Sequence, residues 1–109
     1  MAQPPYAASH RTVRRGRAEG LANVERELLE ERANALGRAG DRLDRALATY
    51  RSIDGRPDVP RDRVEAALTE VRDATYALLV QRDCIGFRMD NLAWIRRHYD
   101  IPDRALRRI

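Results

Sequence analysis

Between Val64 and Leu92, apolar or small side chains recur at Val64, Leu68, Val71, Thr75, Leu78, Ile85, Met89 and Leu92, in alternating steps of four and three. That spacing lines one face of a helix. One step of the series falls on Arg82, flanked by Gln81 and Asp83, so the most hydrophobic segment carries a polar cluster in its middle. A guanidinium in an apolar face is costly unless its donors are paired. Two readings of Gln81, Arg82, Asp83 and Arg88 stay open: a polar lock that joins this helix to the C-terminal segment, or an anion pocket for a small ligand or a partner's acidic side chain. Both require the same residues.

A second long helix precedes it, expected over about residues 19–51. Leu29, Ala33, Leu36, Gly40, Leu43, Leu47 and Tyr50 follow the same alternation, and Leu21, Leu28, Ala35, Ala39 and Ala46 form an offset stripe of mostly small residues. Two apolar faces imply two neighbours, so Leu29, Leu36, Gly40, Leu43 and Leu47 are the candidate oligomer face. Gly37 and Gly40 each cost on the order of 1 kcal/mol in a helix interior. Close approach of another helix is the expected reason, with a kink at Gly37 as the alternative.

Ser52-Ile-Asp-Gly-Arg-Pro-Asp-Val-Pro60 gathers turn formers, and the chain should reverse there. Pro60 and Asp62 suit the start of the next helix, and Gly86 should end or bend it. Asp90 or Asn91 can cap a short third helix through Trp94, Ile95 and His98. Pro102 then opens a last turn, with Phe87, Leu92, Trp94, Ile95, Ile101 and Leu106 as apolar cover for the hairpin. The break between these short helices only superficially resembles a helix-turn-helix, because no long recognition helix follows it.

Charge divides the chain into three parts. All 21 basic residues are Arg. Residues 1–18 hold four Arg and no acid, residues 19–95 hold 12 Arg against 15 acids, and residues 96–109 hold five Arg against two acids. The first 18 residues carry few apolar anchors and are expected to form a flexible basic arm, leaving 19–109 as one helical domain. Arg11, Arg14, Arg15, Arg17, Arg104, Arg107 and Arg108 are the candidate nucleic-acid contacts, and the mildly acidic body argues against a DNA-binding face over the whole domain.

Signals for catalysis are sparse. His10 and His98 have no sequence neighbour that would complete a dyad or a metal site, and there is no glycine-rich phosphate loop or nucleophile elbow. The expectation is a non-enzymatic protein with no cofactor and no metal. A single cysteine, Cys84, excludes an internal disulfide, and its place in an apolar stripe favours a buried, inert thiol in a reducing, cytoplasmic setting. No run approaches the length of a membrane span.

Leu36-Gly-Arg-Ala-Gly-Asp-Arg-Leu43, Gln81-Arg-Asp-Cys-Ile-Gly-Phe-Arg88 and Tyr99-Asp-Ile-Pro102 together resemble domain of unknown function 6665, a family of small proteins met mainly in Alphaproteobacteria. The likeness spans about residues 25–108. Tyr76 stands where the family has a tryptophan, and its usual C-terminal glycine is missing after Ile109. The resemblance implies a cytoplasmic, bacterial, helical protein and supplies no activity.

The expected fold is all-α: a long antiparallel helical hairpin followed by two short C-terminal helices. A chain of 109 residues with few aromatics buries only a modest core and leaves room for a partner, and a homodimer forming a four-helix bundle is favoured over a monomer. The expected function is protein-protein interaction, with itself or another helical protein. The alternative is a nucleic-acid-associated protein using the Arg-rich arm and C-terminal Arg cluster.

Overall fold

The computed structural model describes the backbone of residues 5–107 and the side chains from Gly16 to Arg107. Four helices follow one another: α1 (Pro5–Ile53), α2 (Arg61–Ile85), α3 (Asn91–Tyr99) and α4 (Asp103–Leu106). No strand occurs among the described residues. The chain forms two compact units, residues 1–32 and 33–109.

In the second unit, the end of α1 packs with α2 and the two short helices to form the core. Leu43, Leu47, Tyr50 and Ile53 from α1 meet Leu68, Val71, Ala74 and Leu78 from α2, and Ile95, Ile101 and Ala105 close the cluster. Leu43, Val71, Ala74 and Ile95 are fully buried. Burying a side chain of the Leu or Ile type contributes roughly 1.5–3 kcal/mol. Thr75, the polar member of the α2 stripe, is also buried, and its hydroxyl donates to the Val71 carbonyl at 2.7 Å. The hydroxyl is thereby satisfied within its own helix.

The helix ends follow local chemistry. Pro60 precedes α2, and Asp62 sits in its first turn, where an acid faces free amides. At the other end Gly86 takes a left-handed conformation, φ 95°. Its N–H donates to the Asp83 carbonyl and that of Phe87 to the Arg82 carbonyl, a Schellman arrangement. The helical stripe therefore stops at Ile85, and Met89, expected on the buried face, is instead exposed. Asp90 caps α3 by accepting from the Ala93 N–H at 3.0 Å, leaving Asn91 free for another task. Asp100, at φ 51°, ends α3, and the Arg51 guanidinium donates to the carbonyls of Tyr99 and Asp100 there. A cation at a helix C-terminus is favourable.

Two further expectations shift. Cys84 is exposed, because it lies between the stripe positions 82 and 85 and faces outward. α1 starts at Pro5 and not near Glu19, since Ala and Arg are good helix formers and propagation adds one bond per residue. It takes in residues 5–18, which composition assigned to an arm; of their side chains only those from Gly16 onward lie among the described residues.

Candidate functional site

Arg82 is buried on the core side of α2, and its surroundings come from the loop after Gly86 and from α3. The guanidinium carbon lies 3.6 Å from the Trp94 ring centre and 4.5 Å from that of Phe87, so two aromatic faces cover the cation. Its Nε donates to Asn91 Oδ1 at 3.0 Å, and Nη2 approaches Met89 Sδ at 3.5 Å. Asn91, buried in turn, donates through Nδ2 to Asp83 Oδ1 at 2.6 Å and to the Phe87 carbonyl at 3.0 Å. One amide thus links the guanidinium to the carboxylate. Trp94 stacks on its other side against His98, with ring centres 4.5 Å apart.

Of the four residues singled out by sequence, Arg82 and Asp83 meet in this cluster through Asn91, whereas Gln81 and Arg88 are not among the partners of Arg82. The guanidinium needed partners for its donors. Two rings and a neutral amide supply them, because an aromatic face accepts a cation while burying apolar surface. Asn91 was legible only as a possible cap, so its role as hub had no sequence signal.

The candidate oligomer face requires correction. Leu43 and Leu47 are core residues of the protomer, Leu36 packs against that core, and Gly40 is buried beneath Tyr99. The protomer's own core takes up the stripe expected to receive a second copy, with Tyr99 of α3 over Gly40. Only Leu29 remains available, 64% exposed.

The exposed apolar surface of α1 lies nearer its start. Every described side chain from Gly16 to Asn34 is exposed, so this helical stretch of about five turns buries none of its faces. Leu21 is 64% exposed, Val24 60% and Leu28 49%. The steps from 21 to 24 to 28 place them on one face. With 25 residues against 49, α2 can match only about half the length of α1. A smaller exposed set, Tyr76, Val80, Phe87 and Met89, lies on α2 and just beyond it.

Arg11, Arg14 and Arg15 lie outside the residues whose side chains are described, as does Arg108. Arg17 and Arg107 are exposed. Arg104 pairs with Glu65 at 3.4 Å, and the neighbouring Arg96 pairs with Asp103 at 2.8 Å. An open groove of about 390 Å³ between α1 and α2 is lined by Arg42, Arg45, Thr49 and Glu70, and Arg42 grips Glu70 through two hydrogen bonds of 2.9 and 3.3 Å. Among the described residues no three of His, Cys, Asp and Glu gather to hold a metal ion. None of their helices is long and apolar enough to cross a membrane.

Fold and surface together define a small all-α protein built on a helical hairpin, with an uncovered apolar face on its first helix. The chain belongs to DUF6665, a family of unknown function, whose family model matches residues 10–108. The match begins at His10, so the uncovered part of α1 is included in the family's domain. No curated protein and no solved structure matches the chain.

Proposed function

We propose that this is a non-enzymatic interaction protein that self-associates as a homodimer and uses the first half of α1 as its docking surface. The observation that carries this reading is the exposure of Leu21, Val24, Leu28 and Leu29, each at least 49% open to solvent on a helix with no buried face from Gly16 to Asn34. A helix of that length is marginal in water without a packed face, so a partner that covers the stripe also stabilises the helix. Contiguous apolar surface of this kind marks an interaction site.

The test is the solution mass of the full chain by light scattering, at two protein concentrations and two salt concentrations. The expected result is twice the chain mass at the higher concentration, retained at high salt and lost in a Leu21→Asp, Leu28→Asp variant with unchanged helix content in its core. A wild-type chain that stays monomeric throughout removes self-association. Salt-sensitive binding of a fluorescent DNA duplex by that monomer, weakened on removing Arg11, Arg14, Arg15 and Arg17, would move the assignment to nucleic acid.

A further inference from the structure

We infer that the occupant of the uncovered α1 face is the same face of a second copy, laid antiparallel to the first. This rests on the self-association proposed above and adds its geometry. The argument is the distribution of charge around the apolar patch. Residues 1–18 carry Arg11, Arg14, Arg15 and Arg17 and no acid, whereas residues 19–32 carry five acids, Glu19, Glu25, Glu27, Glu30 and Glu31, against Arg26 and Arg32. A helix that is net positive before an apolar patch and net negative along and after it is self-complementary only when two copies run antiparallel.

The register follows from the patch itself. Setting Leu21 opposite Val24 of the partner subunit makes the contact isologous, so Val24 meets Leu21 of the partner subunit in return. The same alignment brings Leu28 opposite Arg17 of the partner subunit, whose aliphatic stem can cover it while the guanidinium reaches the neighbouring carboxylates. The two-fold axis repeats each pairing. A parallel alignment sets the four Glu of one copy against the four of the other, and Arg against Arg. Exposed charge pairs contribute orientation and register more than affinity, so the apolar patch drives association and the charges choose its direction.

The experiment uses full-length chains. In a charge-swapped variant, Arg11→Glu, Arg14→Glu, Arg15→Glu and Arg17→Glu are combined with Glu25→Arg, Glu27→Arg, Glu30→Arg and Glu31→Arg. An antiparallel pair predicts that this variant dimerises with itself as the wild type does. Reversing only the four Arg weakens dimerisation by at least about tenfold, because two acidic ends then face each other. Dimerisation unchanged by reversing only the four Arg would indicate a parallel pair, whose like-charged ends already face each other, or a pair that charge does not direct; either overturns the inference while leaving self-association intact. Dimers that survive Leu21→Asp, Leu28→Asp but are lost on Val80→Asp would place the interface on α2 and overturn it as well. A monomeric wild type defeats the parent proposal instead.

Discussion

The hydroxyl of Tyr99 lies 2.9 Å from the point that a Cβ on Gly40 would occupy, so α3 reaches α1 at a position where any larger residue collides. At Gly37, three residues earlier on the same helix, nothing lies within 4 Å of the corresponding point. Close packing therefore explains one glycine of the pair and not the other.

Gly37→Ala should raise stability by up to about 1 kcal/mol, the helix-propensity difference, because the added methyl meets open space. Gly40→Ala gains the same propensity but must displace the Tyr99 ring, which is wedged edge-on against Trp94 and His98. Overpacking of this kind costs about 1–3 kcal/mol, so Gly40→Ala should be the less stable of the two by at least ~1 kcal/mol. Urea unfolding decides it, and Tyr99→Phe should recover most of the difference in a double-mutant cycle. Additive effects of the two substitutions would refute the contact.

Asn91→Ala should destabilise by about 1.5–3 kcal/mol, since it removes the amide acceptor of a buried guanidinium. Asn91→Asp keeps the acceptor but brings a second carboxylate beside Asp83, and should also be unfavourable. Trp94 is the single tryptophan of the chain, so its fluorescence reports on the stacked cation. Arg82→Met should shift that emission while retaining most of the packing between Phe87 and Trp94. Unchanged emission would mean that the cation does not rest on the indole in solution.

Leu43→Ala and Leu29→Ala separate the core from the uncovered face. Leu43 has no solvent exposure, and its truncation should cost about 2–5 kcal/mol. Leu29, 64% exposed, should change the stability of the protomer by less than ~0.5 kcal/mol. Chemical denaturation at a concentration below dimerisation measures both. Equal costs would contradict the burial pattern.

Stability should fall in alkali. Burial raises the pKa of Tyr50 and of Tyr99 above the ordinary value of 10.0, Asp54 adding to the first and Asp44 to the second, against smaller opposing pulls from Arg104 and Arg82. The raised value belongs to the folded state, so the stability it represents is complete below the unfolded pKa and is lost as pH rises through the folded one. The urea midpoint should decline above about pH 10, and Tyr50→Phe with Tyr99→Phe should make that decline shallower. An identical slope in the double variant would assign the loss to other groups.

Much of the architecture was legible because helical periodicity is a local signal. The alternation from Val64 through Leu78, the turn formers between Ser52 and Pro60, and Gly86 as a left-handed stop each act through near neighbours, and α2 ends where Gly86 ends it. The polar cluster was legible at Arg82, where a charge interrupts an apolar stripe. Its partners were not, because Phe87, Asn91 and Trp94 reach Arg82 only once the loop after Gly86 turns back.

What the sequence by itself determined is the helical class, the reversal after Ile53 and the two apolar stripes of α1, since each depends on spacing and on turn chemistry within a few residues. What only the tertiary structure decided is which apolar residues are spent inside the protomer. Leu36, Gly40, Leu43 and Leu47 carry the same pattern as a docking seam, yet they are taken up in or against the core that α1 shares with the rest of the chain, while Leu21, Val24 and Leu28 stay open. The physical reason is that a stripe records a preference for burial and not the identity of what buries it. That identity follows from the lengths of the helices and the path of the chain.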